Sequence, residues 1–431
     1  MRSGANNFHG NIIHVELTTD RAEPAAAASP AQPNRARMIV VLGALVALGP
    51  LTIDMYLPAL PKIADDLSVS SSVAQLTLTG TLAGLALGQL IVGPLSDSVG
   101  RRRPLMAGIV LHMLASVLCI FAPNIELLGA GRVLQGIGAS AAMVVAIAVV
   151  GDLFDDSAAA TVLSRLILVL GAAPVIAPSL GAAVLLHASW HWVFVVLVVL
   201  AGGLLVLAAT ALPETLAPAH RRPLKVGAIV ATSGQLLRDV RFVTLVLVAA
   251  LGMSALFAYI AGASFVLEGR YGLDQQTFAL VFGAGAVALI GATQFNVVLL
   301  KRFSPSAIVM WALVAAVAAG ALFVALAVSA TGGLPGFLIP VLTILAAMGC
   351  VIPNAPAIAL SRHHEAAGTS AALLGAAQFG LGAAVAPVVG VLGNDAFALA
   401  VVMMTGMVVA LLALLSVNLS GSRRETSAEA A

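Results

Sequence analysis

Asp54, His112 and Arg132 are ionisable side chains standing inside otherwise apolar stretches. A charge in such surroundings is costly unless it is paired, hydrated or used, so each is a functional candidate by default. An acid that gains and loses a proton beside a cation that senses its charge can couple an ion gradient to a change of shape. Asp54 lies six residues before Leu60, where its apolar run ends, or ~9 Å at 1.5 Å per residue. Arg132 lies about five residues past the start of its own run, or ~8 Å, so the two stand at matching depth. Two other readings stay open: a purely structural ion pair, and an Asp54 wetted where Pro58 and Pro61 break the helix. His112 reads more simply as a hydrogen-bonding group between helices.

A second constellation is Gly93-Pro94-Leu95-Ser96-Asp97-Ser98-Val99-Gly100-Arg101-Arg102-Arg103. Gly93 and Gly100 permit close helix approach and a tight turn. Asp97 sits at a helix end, on the membrane side where a later apolar run begins at Gly368-Thr369-Ser370. A helix N-terminus attracts a carboxylate by about 0.3–1 kcal/mol, up to ~2 when partly buried. Such a contact would hold an inner gate shut, and Arg101 or Arg102 could pair with Asp152. The alternative is a basic loop that serves topology alone.

The elements that position these groups follow from composition. Of 431 residues, 60% are hydrophobic and 9% charged, with a mean hydropathy of +1.06. A soluble domain carries about 25% charged residues, so this chain cannot wet a globular surface. Soluble enzymes, nucleic-acid binders and disordered scaffolds are excluded. No G-x-x-x-x-G-K-[ST], H-E-x-x-H or G-x-S-x-G occurs, so neither nucleotide-driven pumping nor intramembrane hydrolysis has a visible catalyst. His363-His364-Glu365 reads as a solvated loop rather than a metal site, Cys119 and Cys350 as buried small hydrophobes, and no cofactor is expected.

Apolar runs at 38–60, 74–95, 105–122, 126–151, 162–187, 190–212, 242–266, 277–300, 306–328, 335–360, 369–392 and 396–419 predict twelve transmembrane helices, since backbone groups in lipid must be satisfied internally. With the N-terminus inside, 18 of the 21 Lys and Arg fall on the inner side, so both termini are expected in the cytoplasm. The stretch 1–37 reads as a disordered cytoplasmic tail, not a cleavable signal peptide, and 420–431 as a second tail. The basic, Pro-containing segment 213–241 divides six spans (38–212) from six (242–419). Each half carries an Ala-Pro-x-x-Gly run in its fifth span, at Ala177–Gly181 and Ala386–Gly390, which predicts two pseudo-symmetric six-helix bundles. Secondary transporters use such repeats, with the site between the halves near the midplane.

Three stretches resemble the major facilitator superfamily. The Gly93–Arg103 segment is similar to its motif A, G-x-x-x-D-R-x-G-R-R; Arg132-Val133-Leu134-Gln135-Gly136 resembles its fourth-helix R-x-x-Q-G motif; Gly171-Ala172-Ala173-Pro174 through Pro178 and Gly181 resembles the fifth-helix antiporter motif. Asp54-Met55-Tyr56-Leu57-Pro58 and Pro353-Asn354-Ala355-Pro356 are similar to the Bcr/CflA branch of proton-coupled drug exporters. Ser98 departs from the motif A arginine, and the first span holds no second carboxylate, which disfavours polycationic substrates. The resemblance implies the major facilitator fold in the plasma (inner) membrane and a functional monomer. It also implies exchange of protons for small amphipathic compounds, coupled through Asp54 and Arg132, with Tyr56, Gln135, Phe257, Tyr259 and Asn354 as substrate contacts on the first, fourth, seventh and tenth helices. A dedicated metabolite transporter and a non-transporting sensor are the alternative readings.

Overall fold

The computed structural model describes residues 35–429 apart from Asp155, Arg222, Arg362, His364 and Glu365. The first 34 residues of the expected tail, and two of the three residues in the His363–Glu365 cluster, lie outside the described residues. Among the described residues, twelve helices are long and apolar enough to cross a membrane: α1 Arg35–Asp66, α2 Ser71–Val99, α3 Arg102–Ile120, α4 Ile125–Leu153, α5 Thr161–Leu185, α6 His191–Ala211, α7 Val240–Arg270, α8 Gln275–Leu299, α9 Pro305–Ser329, α10 Gly333–Leu360, α11 Gly368–Val391 and α12 Ala396–Val417. Side chains cap several of them. Asn124 accepts from the Leu127 amide at 2.9 Å, and Asp274 accepts from those of Gln276 and Thr277 at 2.9 and 3.0 Å.

Two helices depart from simple rods. In α1 the regular helix stops at Asp54, and a 3-10 turn, Leu57–Ala59, leads into Leu60–Asp66. Pro58 has no N–H to continue the ladder, so the break follows from the sequence. In α7 the last turn, Phe265–Arg270, widens to π geometry. This span runs four residues beyond the expected end at 266, and so carries Glu268 and Arg270.

Packing repeats with an offset of six helices. The pairs α1–α5, α2–α4, α3–α4 and α3–α6 recur as α7–α11, α8–α10, α9–α10 and α9–α12. The two halves then meet through α2 against α11 and α5 against α8. Close approach explains two glycines: a Cβ on Gly84 would stand 2.1 Å from the Val133 carbonyl oxygen, and one on Gly136 2.2 Å from that of Thr81. The counterpart contact between α8 and α10 is Gly349, where a Cβ would lie 2.3 Å from the Leu289 oxygen. Without a hydrophobic drive between helices in lipid, such backbone contact is what holds spans together.

An even number of spans puts both described ends on one face, here called the basic face. Between α6 and α7 on that face runs a linker helix, Val226–Leu236, that packs against α11.

Candidate functional site

The N-terminal half contains a buried polar circuit where α1, α3 and α4 converge. Arg132 is wholly buried. Its two terminal nitrogens donate to the Thr52 carbonyl at 3.0 and 3.1 Å, and one also donates to Gln135 Oε1 at 2.8 Å. The guanidinium lies 4.3 Å from the centre of the Tyr56 ring, with Phe194 beyond at 5.9 Å. Gln135 Nε2 donates to Ser116 Oγ at 2.7 Å, and Ser116 donates to the His112 carbonyl at 2.7 Å. His112 Nε2 meets Thr52 Oγ1 at 2.8 Å, which closes the ring. Because Thr52 spends its single hydroxyl hydrogen on the Leu48 carbonyl at 2.6 Å, His112 must donate from Nε2. Its Nδ1 lone pair is left buried without a partner.

Asp54 lies two residues beyond Thr52 at the end of the regular helix, 2% exposed, and its Oδ1 has no hydrogen-bond partner. Sequence depth alone suggested a pair with Arg132 or a wetted carboxyl; the structure shows neither. The guanidinium is satisfied instead by a backbone carbonyl, an amide oxygen and an aromatic face, which require no buried anion. His112 does bridge helices, through Thr52. Tyr56, expected at the substrate, is buried and donates to Thr77 Oγ1 at 2.7 Å.

In the C-terminal half, Asn354 Nδ2 donates to Asn296 Oδ1 at 2.7 Å and to the Cys350 carbonyl at 2.8 Å. Tyr259 stacks on Phe282 with centroids 5.1 Å apart, and Phe257 tilts against Phe379 at 5.7 Å. All five residues expected to touch substrate are buried here, each less than 4% exposed. The spacing of Asn296 from Asn354 carries no motif, so only the fold reveals that pair.

Motif A forms a network that stays within the N-terminal half and the segment after α6. Arg101 pairs with Asp97 and grips Asp152 with Nε at 2.8 Å and Nη2 at 3.2 Å. Thr215 also donates to Asp152, at 2.8 Å. Arg102 takes another course and donates to the Ala209 carbonyl at 2.5 Å. Glu214, which no sequence argument singled out, accepts from the Arg101 and Arg102 amides at 2.8 and 3.2 Å. Gly100 stands at φ +99°, a conformation L side chains rarely adopt, and so is required there; its Cα faces the Glu214 carboxyl. Burial works against the Arg101 charge, but the bonds to Asp152 and Asp97 outweigh it and hold the guanidinium above its ordinary value. Gly93 lies on the α4 side, with Val144 the nearest neighbour of a Cβ at 4.0 Å. Asp97 meets Arg101 rather than the start of α11.

The halves are instead tied at the opposite face. Ser72 Oγ donates to the Gly390 carbonyl at 2.7 Å. Gln75 Nε2 donates to the Ala261 carbonyl at 2.9 Å and to Asn394 Oδ1 at 2.5 Å. This state is closed at the face away from the chain ends. On the basic face a cavity of about 370 Å³, lined in part by Arg165 and Gln294, separates α5 from α8.

The antiporter segment serves two contacts. A Cβ on Gly171 would meet the Ile290 side chain of α8 at 2.9 Å, whereas one on Gly181 would meet the Met55 carbonyl oxygen of α1 at 2.1 Å. Pro174 and Pro178 lie inside α5 between them. Among the described residues no three His, Cys, Asp or Glu side chains cluster as a metal site would require.

Residues 40–387 match the family model described as Major Facilitator Superfamily. The chain belongs to the major facilitator superfamily. It is therefore a multi-pass membrane transporter rather than an enzyme. It is 37% identical to the MFS-type transporter YdgK of Bacillus subtilis over 89% of this chain and 96% of that one. It is 30% identical to the bicyclomycin resistance protein homolog of Haemophilus influenzae over 80% of this chain and 86% of the relative. The chloramphenicol resistance protein of Pseudomonas aeruginosa is 31% identical over 78% of this chain and 80% of its own length. These relatives agree with the Bcr/CflA branch of the superfamily. Among solved structures, the partially occluded, inward-open xylose transporter XylE of E. coli superposes with a TM-score of 0.69, at 14% identity, over 88% of this chain and 96% of that one. At that identity the likeness speaks for the fold alone.

Proposed function

We propose that this transporter exports small amphipathic compounds across the plasma membrane in exchange for protons, with Asp54 as the proton carrier and Arg132 as the group that reads its charge. The carrying observation is the buried Asp54 carboxyl, whose Oδ1 lacks a partner, two residues from the carbonyl that Arg132 holds. A buried carboxylate with neither cation nor donor costs several kcal/mol, so the arrangement suits the neutral acid. Loss of the proton creates an anion two residues along α1 from the carbonyl that the guanidinium holds. Arg132 then leaves Thr52 for Asp54, and the bond that fixes the end of the regular helix of α1 against α4 is released. The far-face contacts of Ser72 and Gln75 open as the halves rock, and motif A closes the basic face. One charge moved through 100 mV is worth about 2.3 kcal/mol, enough for a roughly fifty-fold gradient of exported compound.

The names of the resistance proteins among the relatives support the drug-like substrate class. Tyr56, Gln135, Phe257, Tyr259 and Asn354 are the proposed substrate contacts, becoming accessible as the buried rings part. The excess of Lys and Arg on the basic face supports a cytoplasmic location for both chain ends, and the proposed functional unit is the single chain.

The test is substrate-induced proton release from purified protein, paired with drug susceptibility of an efflux-deficient host. Asp54→Asn should bind drug, release no protons and confer no resistance. Unchanged proton release and export against a gradient in that variant would overturn the reading.

A further inference from the structure

The linker helix Val226–Leu236 presents two different faces. At 100° per residue, Ile229, Thr232, Ser233 and Leu236 fall on one side, and these are its buried or half-buried residues. That side packs on α11. Beside it runs a second stripe, Val226, Val230 and Leu237, exposed by 63, 64 and 59%. Leu224 and Val240, exposed by 51 and 73%, extend this apolar surface beyond either end of the helix. Gly227, Ala228, Ala231, Gly234 and Gln235 occupy the remaining arc.

The exposed charges beside the stripe are cations. Lys225, Arg238 and Arg241 are exposed. The acid among them, Asp239, caps α7 by accepting from the Arg241 and Phe242 amides at 2.9 and 3.3 Å, and also meets His363 at 3.0 Å. Its charge is thus directed inward while the three cations face out. An apolar stripe flanked by cations, on a short helix joined at both ends to membrane spans, has the chemistry of a helix lying in the headgroup layer.

We propose that this stripe docks on the bilayer surface through anionic phospholipids, with Val226, Val230 and Leu237 in the acyl boundary and Lys225, Arg238 and Arg241 on lipid phosphates. Because the adjoining side of the helix rests on α11, lipid contact holds the linker against the C-terminal half as the halves move. Basic residues near an anionic surface each contribute enough to change docking roughly fivefold.

The test uses the full-length protein reconstituted in vesicles of phosphatidylcholine alone or mixed with phosphatidylglycerol. An environment-sensitive probe is placed at Val230→Cys or, as a control on the opposite arc, at Gln235→Cys; Cys119 and Cys350 are buried and leave the introduced thiol as the reactive one. Brominated lipid should quench the probe at 230 and not at 235. Quenching at 230 should rise with phosphatidylglycerol and fall roughly fivefold for each of Lys225→Gln, Arg238→Gln and Arg241→Gln. Equal quenching at the two sites would overturn the docked face. Quenching at 230 indifferent to phosphatidylglycerol and to all three substitutions would overturn the anionic partner.

Discussion

Arg132 holds the carbonyl of Thr52, at 3.0 and 3.1 Å, and leaves the carboxyl of Asp54 two residues along the same helix without a cation. The guanidinium thereby has a resting partner in the Thr52 carbonyl, and under the proposed mechanism it exchanges that partner for Asp54 when Asp54 ionises. Replacing Arg132 by Ala strands the Thr52 carbonyl and Gln135 Oε1, at about 1–3 kcal/mol for each buried acceptor left unsatisfied. Arg132→Ala is expected to lower the melting temperature and to uncouple transport. Arg132→Lys should recover part of the stability and little of the coupling, because an ammonium lacks the fork that engages Thr52 and Gln135 together. Thermal melting and proton release on the two variants check both halves of this expectation.

The far-face contact joins the two halves. Gln75 Nε2 bridges the Ala261 carbonyl of α7 and Asn394 beyond α11, while Gln75 Oε1 and Asn394 Nδ2 are buried without partners. Each net hydrogen bond contributes about 0.5–1.5 kcal/mol, so losing one shifts a two-state population roughly two- to tenfold. Gln75→Ala should therefore raise the accessibility of far-face cysteine reporters by that factor and lower their accessibility on the basic face. Unchanged labelling on both faces would show that Gln75 does not hold the closure.

What the sequence made legible was what lipid makes expensive. Asp54 and Arg132 stand out because ionisable groups inside apolar runs are rare, and the span count follows from the same scarcity of charge. The partner of Arg132 was not legible, because a backbone carbonyl such as that of Thr52 carries no residue signature. Nor was Gln75, an uncharged side chain whose partners lie across the interface between halves. Glu268 escaped because the polar run Glu268-Gly269-Arg270 marks a loop to any hydropathy reading, whereas the π-helical turn extends α7 through it. Its Oε1 is buried without a hydrogen-bond partner. Glu214 was hidden in the segment between halves, since only the fold brings it to the Arg101 and Arg102 amides.

Glu214 gives a pH dependence of definite sign. Burial works against its charge, but the amides of Arg101, Leu216 and Arg102, with the Arg221 charge, outweigh it and hold the carboxyl below its ordinary value of 4.5. A depressed folded-state value means that the stabilisation is fully present above the ordinary value and is lost as pH falls through the lower, folded one. Glu214→Gln should be less stable than wild type by a constant margin at neutral pH. That margin should close only below about pH 4.5. Melting temperatures of the pair across the acid range test this; a margin that narrows between pH 8 and 6 would assign it to another group.

The antiporter segment reaches the residue next to Asp54, the proposed proton carrier, through Gly181. A Cβ there would stand 2.1 Å from the Met55 carbonyl oxygen, and Met55 directly follows Asp54 in the broken stretch of α1. That neighbour is backbone and cannot rotate away, so Gly181→Ala must push α1 or α5 aside by more than half an ångström. At Gly171 the neighbour is the Ile290 side chain, at 2.9 Å, which can yield by a rotamer change. Both glycines lie on one helix and both changes add one methyl, so the pair isolates the effect of position. Gly181→Ala is expected to fold and insert yet lose most proton-coupled export, with Arg132 and Thr52 drawn apart as α1 shifts. Gly171→Ala should lose stability by about 1–3 kcal/mol from overpacking and retain its proton release. Export and proton release measured side by side decide the matter. Equal loss of both activities in the two variants would mean that α5 acts only as packing against its neighbours, and that Gly181 has no particular hold on Asp54.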